Sequence, residues 1–307
     1  MGIRRIRSWI EHHFTLILFL GLMFGLSVPA MQYCPPEVPL AFVSIVMFLS
    51  CSKIRLHDMR SIAWGWGVVL YISRFLLLPA CLFWISNILA PDYALGVLLI
   101  ALMPVGVSAA GLAGMVGASV ALVLCATVIT SLLTPIIVPF MVELLGNQHM
   151  DIDPYAMFST IALSIILPTT SYFGVARHHA RARAWITSHT SWLTPLLMAG
   201  MGASVVGMQR GFILDNLPLL FDAFLLASAL YALLFVVGWC AGKHRSVMLS
   251  KSLALCSGSN NIALAAAIAA MYFPPSVVLF TVVGDVVWVC AVGLFKRWAD
   301  RLYSASR

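Results

Sequence analysis

The chain has 307 residues, of which 62% are hydrophobic and 9% are charged, and its mean hydropathy is +0.99. Soluble domains carry about 25% charged residues, so this composition excludes a soluble protein. Ten apolar segments follow one another, at about 14–31, 38–52, 62–86, 93–116, 119–143, 154–176, 185–208, 218–241, 251–272 and 275–295. Most reach the ~17–25 residues that a spanning helix needs. We therefore predict an all-α polytopic membrane protein with ten transmembrane helices.

The distribution of Lys and Arg predicts the topology. With ten spans, sixteen of the eighteen Lys and Arg side chains fall on one side, Lys251 among them, and only Arg210 falls among the opposite loops. This is the positive-inside pattern, which places both termini in the cytoplasm. The net charge of +7 is then a topology signal, and it does not indicate a nucleic-acid partner. The expected surroundings are a lipid bilayer.

The loop around 145–153 divides the ten segments into five and five. An odd number of spans in each half forces the halves to insert in opposite orientations, which is the inverted-repeat architecture of many secondary transporters. We therefore predict a first repeat at 1–148, with helices 1–5, and a second repeat at 149–307, with helices 6–10.

The fourth helix of each half loses its apolar continuity near the middle. The first reads ALMPVGVSAAGLAGMVG and the second reads LALCSGSNNIALAAAIAA. Broken helices at matched places predict a midplane binding site, because freed backbone groups are tolerated only around a cavity, an ion or a ligand. Close helix packing by small residues is the alternative. The predicted site residues in these two helices are Pro104, Ser108, Cys256, Ser257, Ser259, Asn260 and Asn261.

Two charged residues lie deep in apolar segments, Arg74 in the third and Asp285 in the tenth. Intramembrane charges are costly and usually functional. Arg74 has two interpretations: it pairs with Asp285 and ties the third helix to the tenth, or its planar fork binds the carboxylate, sulfonate or phosphate of a substrate. Asp285 is either a permanent counter-ion or a proton carrier. Both residues belong to the predicted site.

Hydroxyl side chains recur along the fifth segment. Thr127, Thr130 and Thr134 share one helical face, which indicates a polar path, although such hydroxyls often bond back to their own helix. The sequence contains no GxSxG, phosphate-loop or HExxH motif and no Cys/His cluster with metal spacing. It therefore predicts neither an enzyme nor a resident cofactor or metal.

At these positions the chain resembles the bile acid:sodium symporter superfamily. The resemblance is carried by MPVG (103–106), SVAL (119–122), TSLLTP (130–135), SLAL (252–255), NN (260–261), ALA (263–265) and RFLLLP (74–79). It implies a panel and a core subdomain, each drawn from both halves, with the fourth and ninth helices unwound and crossing in the core. It also implies sodium at that crossover and an organic anion beside it.

The chain departs from the family at the sodium ligands. The family's Ser-Asn after the fourth-helix Pro falls on Ala109 and Ala110, its fifth-helix Ser on Val123, its ninth-helix Glu on Cys256 and the Gln that follows on Asn260. The tenth-helix Asn falls on Asp285, whereas the fifth-helix Thr is kept as Thr127. The third-helix Gln falls on Arg74. Since Na⁺ needs hard oxygen ligands, these departures predict that Arg74 takes the role of the cation.

The sequence thus predicts a secondary active transporter of a small organic anion, working by alternating access in a bacterial inner membrane. The sodium coupling is expected to be altered or lost, with protons or no ion in its place. One alternative is an arsenite-type exporter of the same superfamily, although the Cys expected after the fourth-helix Pro is Val105 here. Another is a membrane-embedded ligand sensor, although no loop is large enough for an output domain.

Overall fold

The computed structural model describes residues 2–53, 71–106, 108–146 and 152–305. This part of the chain is helical and contains no β-strand beyond one isolated bridge. In chain order the helices are α1 (Gly2–His12), α2 (Phe14–Ser27), α3 (Glu37–Ser50), α4 (Ser73–Leu89, beginning with a π-helical turn at Ser73–Leu77), α5 (Pro91–Leu102), α6 (Ser108–Val116), α7 (Val120–Gly146), α8 (Pro154–His178), α9 (Ala180–Met208), α10 (Arg210–Asp215), α11 (Leu217–Gly242), α12 (Val247–Gly258), α13 (Ile262–Tyr272) and α14 (Pro275–Ala305).

Five of these helices, α7, α8, α9, α11 and α14, are long and apolar enough to cross a membrane. The helices α1 and α2 reach that length only as a pair bent by 79°. Four shorter apolar helices, α4, α5, α12 and α13, account for other predicted segments. The all-α, membrane-spanning class is confirmed. The predicted third segment, 62–86, lies partly outside the described residues.

The two predicted helix breaks are confirmed. The fourth predicted segment consists of α5 and α6, with a break that begins at residue 103, and the ninth consists of α12 and α13, separated by 259–261. Pro104 has no N–H to continue the helical ladder. In the second break the side chain of Asn261 turns back to accept a hydrogen bond from Leu264 N at 3.3 Å, so a new helix begins there.

The helices form two neighbouring packing regions. In one, α2, α3, α8 and α9 pack on one another, and α2 approaches α9 so closely that a Cβ added at Gly25 would overlap the backbone of Ala203. In the other, α11 packs along α12 and α14, while α5 packs against α4 and α14. The breaks lie inside this second region, where Val105, Ser259 and Asn260 are at most 2% exposed.

Candidate functional site

The two broken helices meet through their backbones. Gly106 N donates to Ser259 O at 2.7 Å, and Asn261 N donates to Pro104 O at 2.8 Å. These bonds make a short antiparallel pairing, and we call this pair of breaks the crossover. Four helix ends converge here: the C-termini of α5 and α12 and the N-termini of α6 and α13. Freed carbonyl groups at such C-termini carry partial negative charge.

Two side chains add hydrogen bonds to the paired backbone of the crossover. Thr130 Oγ1 in α7 accepts a hydrogen bond from Val105 N at 3.0 Å. Asn260 Nδ2 donates to Ile100 O in the last turns of α5 at 2.6 Å. The freed groups are therefore satisfied by protein atoms on several sides, which makes the crossover a built and rigid feature.

The guanidinium of Arg74 joins the C-terminal ends of both half-helices. Its Nη1 donates to Ala101 O in the last turn of α5 at 2.9 Å, and its Nε donates to Ser257 Oγ at the end of α12 at 2.8 Å. Ser257 O also accepts from Nε at 3.2 Å and from Nη2. Nη2 donates to Asn260 Oδ1 at 3.1 Å. All three nitrogens are thus engaged by neutral oxygen atoms, and Arg74 is only 8% exposed.

The helix is irregular around Arg74. The residue lies in the π-helical turn Ser73–Leu77, and Pro79 follows within the same helix. Proline removes a backbone donor and disfavours regular helix before it, and single π-turns occur often at functional sites. The wider turn changes the angular position of the Arg74 side chain around the helix axis, relative to a regular α-helix, and the proline favours this irregularity.

The ion pair between Arg74 and Asp285, one of the two interpretations of Arg74, is not formed. Within the described residues, no Lys or Arg nitrogen forms a salt bridge with Asp285, and its Oδ1 atom is buried without a hydrogen-bond partner. Asp285 is 4% exposed on α14. Tyr231 on α11 lies within electrostatic range of both residues. Of the two interpretations of Arg74, the structure does not contain the pair with Asp285, because backbone carbonyls at helix ends already supply Arg74 with acceptors.

The positions where the related sodium ligands were expected are packed with apolar atoms. Ala109, Ala110 and Val123 belong to one buried cluster with Val105 and Phe75, and Ala109 and Val123 are 0% exposed. Cys256 joins the same cluster and lies within electrostatic range of Arg74. A hard cation would find no oxygen side chain at these alanine and valine positions.

The other predicted residues have three different surroundings. Thr127 and Thr134 donate to the carbonyls of Val123 and Thr130 in their own helix, at 2.9 and 2.6 Å, so the back-bonding alternative describes them. Ser108 begins α6 on its exposed side. Asn261 caps α13 and donates to Met47 Sδ at 3.6 Å, which ties the second break to α3.

Sequence reasoning missed Lys251. It was counted among the loop cations, but it lies in α12, is 3% exposed and donates from Nζ to Val116 O, the last carbonyl of α6, at 2.9 Å. The neighbouring Ser252 Oγ accepts from Ser119 N at 2.8 Å. A second buried cation therefore caps a half-helix. Its only sequence signal was its place at the edge of an apolar segment.

Comparison with known proteins identifies the family. Residues 40–216, more than half of the chain, match the model of the sodium bile acid symporter family. The chain is 22% identical over 279 residues to YocS of Bacillus subtilis (strain 168), named an uncharacterized sodium-dependent transporter; the match covers 89% of this chain and 86% of YocS. It is also 22% identical over 213 residues to the uncharacterized protein YbaS of the same organism, with 67% and 68% covered.

The chain belongs to the sodium bile acid symporter family. The resemblance predicted from the two broken helices is thereby confirmed. The family is one of transporters, and the apolar helices agree with an integral membrane protein that crosses the bilayer several times.

Proposed function

We propose that this chain is a secondary active transporter that moves a small organic anion across a bacterial inner membrane by alternating access, without sodium coupling. Family membership supports transport. The proposed architecture has ten helices in two inverted repeats, at 1–148 and 149–307, with both termini in the cytoplasm. The matched breaks support it, because each lies in the fourth helix of its half and the two meet antiparallel.

The grouping of the helices supports a panel and a core. The helices α2, α3, α8 and α9 pack together and would form the panel. The crossover lies among the remaining long helices, which would form the core. Alternating access in such folds is largely a movement of one bundle against the other around a fixed site. The rigid pairing of the breaks suits a site that moves as a unit.

One observation carries the proposed loss of sodium coupling: the Arg74 guanidinium donates to the terminal carbonyls of both half-helices. A cation at this point neutralises the partial negative ends of α5 and α12. Arg74 supplies that charge covalently. A sodium ion 4 Å away would be repelled by about 4 kcal/mol at an effective dielectric constant of 20. The apolar packing of Ala109 and Val123 removes the oxygen ligands that could offset this repulsion.

The role of Arg74 towards the substrate follows from its bonds. Because Ala101, Ser257 and Asn260 already engage all three nitrogens, the planar fork is not free to clasp a carboxylate. The positive charge still raises the local potential and favours an anion near the crossover. Arg74 therefore acts as a fixed counter-charge, while other groups orient the substrate.

The test is flux into proteoliposomes made with the purified protein. Uptake of radiolabelled organic carboxylates and sulfonates is measured with Na⁺ or with K⁺ outside, at equal ionic strength. We expect uptake of at least one anion at the same rate in both salts, and no uptake in protein-free liposomes. Uptake that requires Na⁺ would overturn the sodium-independent mechanism. Saturable binding of an anion without flux would identify a sensor, and uptake of arsenite alone would identify the exporter alternative.

A further inference from the structure

Unpartnered polar atoms gather around the crossover. Within the described residues, five buried side-chain atoms have no hydrogen-bond partner, and four of them are Tyr231 Oη, Ser259 Oγ, Asp285 Oδ1 and Trp288 Nε1. Ser259 belongs to the crossover itself, and Trp288 lies one turn beyond Asp285 on α14. Native proteins leave few buried polar groups unsatisfied, and each exception needs an explanation.

Packing contacts place Asp285 at the level of the crossover. A Cβ added at the preceding residue, Gly284, would lie 2.8 Å from Ile100 Cδ1 and 3.4 Å from Ile262 Cδ1. Ile100 is in the last turn of α5 before the first break, and Ile262 opens α13 after the second break. Asp285, the next residue on α14, therefore lies at the level of both breaks.

Tyr231 on α11 lies at the level of the second break. The ring of Phe235 packs on Gly258, the last residue of α12. Since α11 and α12 run antiparallel as neighbours, Tyr231, one turn before Phe235, reaches beyond that end towards the second break. It is fully buried and lies within electrostatic range of Asp285 and Arg74.

The surroundings of Asp285 favour a neutral carboxyl group. Ile100 of α5 and Ile262 of α13 pack beside it at Gly284. Tyr231 on α11 is the ionisable group within electrostatic range of Asp285 among the described residues, and Tyr231 is in turn within range of Arg74, which also lies within range of Cys256 on α12. The guanidinium is already occupied by other acceptors. An isolated carboxylate without a partner is far more costly to bury than the protonated acid. A proton is also the one ligand that needs no cavity.

We infer that Asp285 is the reversible proton site of this transporter, with Tyr231 as the hydroxyl that donates to the carboxylate once the proton has left. A proton from water on one side adds to a carboxylate oxygen, and the same O–H bond breaks towards water on the other side. The inference rests on the proposed function. It gives the crossover the removable positive charge that Arg74, being covalently attached, cannot provide.

Charge balance then couples the proton to the anion. With Arg74 always positive, the empty site is neutral when Asp285 is ionised, and the loaded site is neutral when Asp285 is protonated and one anion is bound. A proton alone leaves a net charge of +1, and an anion alone leaves −1. Each of the two ligands lowers the electrostatic cost of binding the other, so proton and anion move together.

Infrared difference spectroscopy of the purified protein tests the proton site without any substrate. In Na⁺-free buffer, a pH titration should show the carbonyl-stretch band of a protonated carboxyl group disappearing reversibly as pH rises. Only eleven Asp and Glu residues contribute. We expect the exposed-carboxylate control Asp222→Asn to keep this band and the isosteric Asp285→Asn to lose it. When Asp285 ionises, carboxylate-stretch bands should appear, and in Tyr231→Phe their frequencies should differ from those of the wild type because the phenolic donor is absent.

A flux experiment tests the coupling. In proteoliposomes, an inward pH gradient of one unit should drive up to about tenfold accumulation of the anion at one proton per anion. Accumulation should persist in Asp222→Asn and be lost in Asp285→Asn. A titrating band that survives Asp285→Asn, or its absence from the wild type, would overturn the proton site. Sodium-independent uptake indifferent to the pH gradient would overturn the coupling alone, whereas uptake of no anion at all would overturn the proposed function.

Discussion

Removing the charge of Arg74 should both destabilise the protein and open its crossover to sodium. The substitution Arg74→Met keeps an unbranched chain but leaves unpaired the three buried oxygens that can only accept, Ala101 O, Ser257 O and Asn260 Oδ1. The fourth acceptor, the Ser257 hydroxyl, can rotate to donate instead. An unsatisfied buried group costs about 1–3 kcal/mol, so the sum is about 3–9 kcal/mol. Water entering the vacated space brings the cost towards the lower end of that range.

A loss of about 3 kcal/mol corresponds to a fall in melting temperature of roughly 6 °C, at about 2 °C per kcal/mol for a large chain. Thermal unfolding of purified protein in K⁺ measures this fall. The matched control is Arg181→Met, which removes an exposed positive charge and should change stability by less than about 0.5 kcal/mol.

The same measurement in Na⁺ tests the displaced-ion interpretation. In Arg74→Met the oxygen atoms of Ala101, Ser257 and Asn260 face an empty cation position, so Na⁺ should stabilise the variant. At about ten times its dissociation constant the gain is ~1.4 kcal/mol by mass action. The wild type should melt at the same temperature in Na⁺ and K⁺. A sodium-specific rise in the wild type, or an Arg74→Met protein that melts like Arg181→Met, would refute the reasoning.

Two further substitutions test how the crossover is held. Thr130→Val should lower the free energy of unfolding by about 1–3 kcal/mol, because it leaves Val105 N unpaired. The control Thr127→Val should be nearly neutral, because that hydroxyl bonds only within its own helix. Equal melting temperatures for the two variants would contradict this. Lys251→Met should lower the unfolding free energy by a similar ~1–3 kcal/mol, because it removes the donor to the last carbonyl of α6. The exposed Lys243→Met serves as control, and a matching effect there would assign the loss to surface charge.

The breaks were predictable from the sequence because residue types that interrupt a helix mark them. Gly, Ser, Pro and Asn interrupt the apolar run at matched places in both halves, and a membrane leaves freed backbone groups no solvent to bond. The structure then pairs residues 104–106 with 259–261. The apolar segments were likewise predictable, although the third lies partly among residues that the structure does not describe.

The partners of Arg74 were not predictable by the same means. The sequence offers only the other intramembrane charge, Asp285, as a partner. Every residue has a backbone carbonyl, so residue types do not show that those of Ala101 and Ser257 are the acceptors. Lys251 was misplaced for a related reason. The helix α12 begins at Val247, four residues before the predicted segment, and this turns Lys251 from a loop residue into a buried one.

In the proposed mechanism, the departures from the family at the crossover form one compensated change. Alanine and valine at 109 and 123 would, without Arg74, leave the ends of α5 and α12 facing each other with no cation to offset their partial negative charge. Arg74, if the sodium ligands remained, would repel the ion that they hold. Each change alone is unfavourable, whereas together they exchange a bound ion for a covalent one. In that mechanism the positive charge of Arg74 stays at the crossover throughout transport, and Asp285 is the proposed group whose charge can change.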